Sequence, residues 1–143
     1  MIKRPIPLDK ETAERLSKVH STNTSVERLF KKAMRNSKIT GIFGTKRLLG
    51  KPDFVNQSTK VAVFLDGCFW HGHQKCYKEP THNKEYWQNK IQNNKKRRQK
   101  VRRQLEKDGW LVLAFWECMV KKDVEKITKK VGQAIKQRLS LNY

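Results

Sequence analysis

The sequence predicts an α/β fold, with helices packed around a mixed β-sheet in the order α-β-β-β-α-β-α. Three observations predict it. An apolar run over 60–65, a long helical stretch over 84–107 and a second apolar run over 110–116 form one β-α-β unit, which makes those two strands parallel with a right-handed crossover. Two short apolar runs precede the unit, and the second is joined to it by a tight polar turn, so the sheet is also antiparallel in part. Stretches of helical periodicity stand at both ends of this region.

Taken in order, residues 1–20 are charged and broken by proline, and read as an arm or a first irregular helix. A helix starts at Thr24-Ser25. Thr24 and Glu27 have capping-box spacing, and Val26, Leu29, Phe30, Ala33 and Met34 form its apolar stripe. Gly41, Gly44 and Gly50 punctuate a short strand at Ile42-Phe43. Asp53-Phe54-Val55 is the next strand, Asn56-Gln57-Ser58-Thr59 a turn, and Lys60 to Leu65 a strand apolar on both faces, as a central strand requires. Asp66-Gly67 then leads into a Cys/His-rich loop over 67–82.

The helix from Lys84 to Lys107 ends at Asp108-Gly109. Its inner face reads Trp87, Ile91, Asn94, Arg98, Val101, Leu105, apolar at both ends and polar in the middle. Asn94 and Arg98 therefore point toward the body of the protein, as a buried polar network or as part of a site. Trp110 to Trp116 is a strand, and Asp123 to Leu139 an amphipathic helix burying Val124, Ile127, Val131, Ile135 and Leu139.

At 143 residues the chain is one domain, 1–143, with an arm over 1–20, a core over 25–118 and a closing helix over 123–139. The formal charge is +20, from 33 Lys+Arg against 13 Asp+Glu spread end to end. Such a field attracts polyanions and points to nucleic acid, although ribosomal and membrane-surface proteins share it. No apolar run approaches the roughly 20 residues that span a bilayer, and the start of the chain lacks an apolar signal core. A cytoplasmic or nucleoid protein, away from membranes, is expected. Three cysteines argue against a disulfide framework and suit a reducing compartment.

Cys68, His73, Cys76 and the distant Cys118 form a Cys-x4-His-x2-Cys group plus one cysteine. Zinc favours four tetrahedral thiolate and imidazole ligands, and the parallel strands bring Cys118 to the edge from which Cys68 leaves. A structural zinc would pin the loop. The alternative is three buried cysteines and an unrelated histidine, against which the clustering speaks.

Asp53 opens one strand, Asp66 follows the end of its antiparallel neighbour, and Glu27 lies on the first helix. Carboxylates at adjoining strand ends can hold a hard cation such as Mg²⁺, which would polarise a phosphate. His71, spared as a ligand if His73 serves, is a natural general base. Taken alone, a Pro-Asp at a strand start and an Asp-Gly are also ordinary turn features.

The runs Gly50-Lys51-Pro52-Asp53-Phe54-Val55 and Val63-Phe64-Leu65-Asp66-Gly67-Cys68-Phe69-Trp70-His71-Gly72-His73 resemble the very short patch repair endonucleases. So do 85–91, 109–113 and Trp116-Glu117-Cys118, and the resemblance extends from about Ser17 to Cys118. That family belongs to the PD-(D/E)xK nucleases, so the resemblance implies a three-layer restriction-endonuclease-like core. It also implies nicking 5′ of the T in a T:G mismatch. Asp53 would be the central Mg²⁺ ligand with the Leu65 carbonyl beside it, His71 the general base, and Glu27 and Asp66 supporting groups. Cys68, His73, Cys76 and Cys118 would hold zinc. Phe69, Trp70 and Trp87 would wedge into the base stack, where unstacking costs least at a defective pair. Leu16 and Val19 would match an arm reaching across the other groove.

One departure stands out: Arg98 occupies the place of the family's usual acidic residue on the long helix. It could contact the scissile phosphate, with Asn94 beside it on the DNA side. The expected partner is mismatched double-stranded DNA bound by a monomer, with mismatch-repair proteins as further partners. A related nuclease with another target, and a zinc-stabilised DNA-binding module whose catalysis has lapsed, are the alternatives. Glu27, Asp53, Asp66 and His71 favour a nuclease over the lapsed module.

Overall fold

The computed structural model describes residues 25–68, 73 and 81–141. The arm over 1–20, the Thr24 cap, and Phe69, Trp70, His71 and Cys76 lie outside the described residues. The elements are α1 (Ser25–Asn36), β1 (Ile42–Phe43), β2 (Phe54–Asn56), β3 (Val61–Asp66), α2 (Lys84–Lys107), β4 (Leu111–Trp116), α3 (Glu117–Lys122) and α4 (Val124–Leu141). They form a mixed four-stranded sheet in the order β1-β2-β3-β4. β1 and β2 are antiparallel, as are β2 and β3 (Phe54 opposite Val63), whereas β3 and β4 run parallel from Val61 opposite Leu111 to Asp66 opposite Trp116. None of the described helices is long and apolar enough to cross a membrane.

Side-chain alternation along β3 sorts the two faces. Val61, Val63 and Leu65 join Phe54 in a cluster with Val26, Phe30 and Met34 of α1, Val120 of α3, and Ile127 and Val131 of α4. Phe30, Phe43 and Phe54 meet there with ring centroids 5.0–6.4 Å apart. On the opposite face Phe64 and Val112 pack with Leu105 and Val101 of α2. Asp66, in step with Phe64, thus faces α2.

Two connections are decided by local chemistry. The Asn56 side chain accepts hydrogen bonds from the Thr59 backbone N–H and from the Ser58 and Thr59 hydroxyls, closing the β2–β3 turn. At the end of α2, Gly109 takes φ +93 and the Gly109 and Trp110 N–H groups bond the Glu106 and Leu105 carbonyls. That is a Schellman cap, for which glycine is favoured.

Three expectations change in detail. Leu29 was expected in the stripe of α1 but is exposed, because the inward row is Val26, Phe30 and Met34, one straight i, i+4 line. β4 stops at Trp116 as expected, but a short helix, α3, intervenes before α4, anchored by the fully buried Val120. Leu139 is exposed rather than buried. Its neighbour Arg138 docks instead, donating to the Thr59 carbonyl at 3.0 Å and also to the Gly109 carbonyl.

Candidate active site and metal centre

Both candidate sites lie where β3 and β4 end, the edge at which open α/β sheets bind ligands. Asp53 is placed by backbone before its side chain acts. Its N–H donates to the Val63 carbonyl at 2.9 Å and its carbonyl accepts from Gly44 at 3.0 Å. Its carboxylate Oδ2 then accepts the Leu65 N–H at 2.6 Å. Upstream, Gly50 has φ +77 and sits so close to α2 that a Cβ would collide with Val101. Glycine there lets the segment entering Asp53 tuck under α2.

Burial pushes the Asp53 carboxyl up to about 7; the Leu65 amide lowers it, Glu27 raises it, Arg98 lowers it and Asp66 raises it further. The structure therefore gathers Glu27 from α1, Asp53 before β2, Asp66 at the end of β3 and Arg98 from α2 into one electrostatic cluster. Arg98 and Asp66 meet at 2.7 Å as an ion pair whose N–H vectors miss hydrogen-bond alignment, and Arg98 Nε is buried without a hydrogen-bond partner. The guanidinium lies 3.9 Å from the Phe64 ring centroid.

The raised carboxyl has a consequence for stability. A carboxyl whose folded-state value is raised contributes stability below its ordinary value of 3.8, and that contribution is lost as pH climbs toward about 7. With no Mg²⁺ added, Asp53→Asn should therefore unfold at a higher temperature than the parent at pH 8. The gap should shrink toward pH 5, from an upper bound of about 4 kcal/mol. Equal gaps at the two pH values would mean that Asp53 is not held against its charge.

Cys68, His73 and Cys118 offer ligand atoms all within 4.8 Å of one another. Cys118 Sγ lies 3.4 Å from His73 Nδ1, and the His73 N–H donates to the Cys68 carbonyl at 2.8 Å. Tetrahedral zinc, with bonds of about 2.0–2.3 Å, spaces its ligand atoms by about 3.5–3.8 Å, so the donor set suits a soft or borderline metal ion. Trp116 stacks on the His73 ring at 4.3 Å and 12°. Sequence reasoning missed that stacking; its signal was the alternation of β4, which puts Trp116 beside Cys118 at the strand end. Cys118 lies in the first turn of α3, two residues past the end of β4 and at the edge where the sequence places it.

The remaining predicted residues fall along α2. Trp87 is nine-tenths buried and meets Tyr86 edge-on at 5.1 Å. Asn94 is half-buried and, with Gly50, Arg97, Arg98 and Val101, borders a hollow of about 260 Å³. On the other side of Arg98, an open hollow of about 360 Å³ between α2 and β4 has Asp66, Lys95, Gln99, Arg102 and Trp116 among its walls.

Comparison with known proteins adds an independent line. The sequence model of the family described as DNA mismatch endonuclease Vsr matches residues 8–78. The chain is 35% identical over 141 residues to the type II nicking enzyme V.NmeDIP of Neisseria meningitidis serogroup C, covering 94% of this chain and 95% of that one. It is 40% identical over 106 residues to the type II nicking enzyme V.NmeAIP of Neisseria meningitidis serogroup A, covering 73% and 75%. It is 31% identical over 134 residues to the DNA mismatch endonuclease Vsr of Escherichia coli K12, covering 92% and 83%.

Proposed function

Because the chain belongs to the Vsr family and is a DNA endonuclease of the nicking type, we propose that it hydrolyses one strand of duplex DNA 5′ of the T in a T:G mismatch, with Mg²⁺. The observation that carries this reading is the carboxylate cluster of Glu27, Asp53 and Asp66 at the strand ends of a protein of charge +20. A chain so basic concentrates phosphate at its surface, and oxygen donors at the strand ends suit a hard cation.

Asp53 would hold the ion through the oxygen left by the Leu65 amide, with the Leu65 carbonyl and Glu27 beside it. Bound there, Mg²⁺ supplies polarisation of the scissile phosphate and stabilises the leaving oxygen. His71 takes a proton from the attacking water, and Asp66 supports the site through Arg98. Cys68, His73, Cys76 and Cys118 would hold zinc, which would tie the loop carrying His71, Phe69 and Trp70 to the end of β4. Phe69, Trp70 and Trp87 are assigned to the base stack, and Asn94 and Arg98 to the DNA side of α2. The core is assigned to the three-layer restriction-endonuclease type. The protein acts as a monomer in the cytoplasm on nucleoid DNA, with mismatch-repair proteins as partners.

A panel of labelled duplexes, carrying each mismatch or none and incubated with Mg²⁺, tests the substrate. Single-strand cleavage confined to T:G is expected. Faster cleavage of another mismatch, or of the perfect duplex, would reassign the target while leaving the nuclease in place.

A further inference from the structure

We propose that α4 carries a second surface for duplex DNA, apart from the cleavage edge, so that one molecule can hold two segments of DNA at once and pass from one to the other. The proposal goes beyond the nicking reaction and needs neither the metal ion nor the cysteine site.

The first observation is the composition of one helix face. α4 buries Ile127, Thr128, Val131 and Ala134. The turn of the helix puts Lys126, Lys129, Lys130, Gln133, Lys136 and Gln137 on the arc opposite, and all six are exposed. Every one of these side chains offers a hydrogen-bond donor, and none is negative. The single carboxylate of α4, Glu125, stands in its first turn.

The second observation is that this charge is not used within the fold. None of Lys126, Lys129, Lys130 and Lys136 makes an ion pair with a described residue. Elsewhere the chain does pair charges at helical spacing, Arg102 with Glu106 and Lys121 with Glu117, each at 3.0 Å. Lys126 and Lys130, also four residues apart, repel instead, which works against the helix. Solubility alone is better served by mixed charge, whereas an unbroken cationic face fits a polyanion. Along the roughly 15 Å from Lys126 to Lys136, a duplex presents about nine negative charges. An anionic lipid surface fits less well. A helix lying on a membrane sets an apolar row beside its lysines, and the apolar row of α4 is already spent on the core.

Placement is the third. Arg138, near the end of α4, donates to the carbonyls of Thr59 and Gly109, which stand two residues before β3 and β4. The candidate site lies where those strands finish. α4 therefore runs back along the sheet away from the site, in the layer opposite α2. A straight duplex seated across the strand ends does not follow that path, and Lys136 is left to a second segment. Transfer between segments spares an endonuclease full release each time it leaves ordinary duplex, where binding rests on phosphate contacts alone.

Release from DNA with no divalent cation added tests this without turnover. The protein is bound to a fluorescent perfect duplex, and its dissociation is followed by stopped flow against a rising excess of the same duplex unlabelled. The parental release rate should climb in proportion to the unlabelled duplex, because a second segment enters before the first leaves. Lys126→Gln, Lys129→Gln, Lys130→Gln and Lys136→Gln combined should release at one rate whatever the excess. Its nicking of saturating duplex in a single turnover should stay at the parental rate. Glutamine keeps the helix propensity of lysine, so this variant should fold. A parental rate that ignores the unlabelled duplex, or a folded variant that keeps the dependence, would overturn the proposal. So would a folded variant that nicks more slowly, since α4 would then belong to the cleaved duplex. Anionic vesicles that bind the parent through these lysines, with no transfer between duplexes, would give the face to a lipid surface instead. The parental measurement decides the matter even if the variant does not fold, and it stands whatever mismatch the enzyme cuts.

Discussion

Asp53→Ala is expected to abolish strand nicking while leaving DNA binding near the parental level. The side chain sits where the Leu65 amide, the Glu27 and Asp66 charges and the Arg98 guanidinium converge, and its carboxyl is pushed up to about 7 by burial. A carboxylate held against its own charge is stabilised by an incoming cation, so the metal and Asp53 are linked. Removing it takes away the proposed central ligand without touching Phe69, Trp70 or Trp87, the residues proposed to meet the bases. Removing the proposed general base is the milder change: His71→Ala should cost about 10²–10⁴ in rate, and Asp53→Ala should cost more. His71→Ala should also keep its zinc, because the proposed ligand is His73, whose Nδ1 lies 3.4 Å from Cys118 Sγ. Asp53→Ala should fold, since it relieves repulsion in the carboxylate cluster. Single-turnover nicking assays, a DNA-binding titration, metal analysis for zinc and circular dichroism as a folding control measure these outcomes. If Asp53→Ala nicked as fast as the parent, the site would have to be sought elsewhere.

The second large effect belongs to the cysteine cluster. Cys118→Ala should bring zinc in the purified protein from one equivalent to less than about half, and lower the unfolding temperature by many degrees, because binding of a structural zinc is folding free energy. Cys118 stands in the first turn of α3, just past the end of β4, and Cys68 lies just past the end of β3, and those two strands are parallel neighbours in the sheet. A metal between them would staple the chain across the end of those strands. Loss of nicking should follow, since the loop between Cys68 and His73 carries His71. Metal analysis showing a full equivalent of zinc in Cys118→Ala would remove Cys118 from the ligand set. Stability unchanged by chelation would remove the structural role altogether.

Much of the fold was legible because the chain uses strong, local signals. The bounds of α2 are legible at Lys84 and Lys107, since no proline or glycine interrupts the run before an Asp-Gly stop. The parallel pairing of β3 and β4 followed from the length of helix between them. The helix α3 was missed because six residues are too few to show a period, and what holds them is the burial of Val120 against α1 and α4 rather than any propensity. Leu139 misled for a related reason: periodicity says which face turns inward but not where the partner surface stops.

At the site the division falls along the same line. The sequence by itself determined which chemistries are present: hard oxygen donors at strand ends, a soft Cys/His set, aromatics in a loop and an overwhelming positive charge. It also marked Asn94 and Arg98 as polar residues on an inward face. Only the tertiary structure decided what Arg98 meets. Its partners Phe64 and Asp66 lie more than thirty residues away in the chain, and the pairing depends on how α2 is rotated and shifted along the sheet. That register is set by close packing, by Gly50 against Val101 and by Leu105 against Phe64 and Val112, with tolerances below an ångström. Periodicity locates an inward-facing residue to within a turn. An ion pair at 2.7 Å needs the whole core in place, because its geometry is the sum of every contact between the two elements.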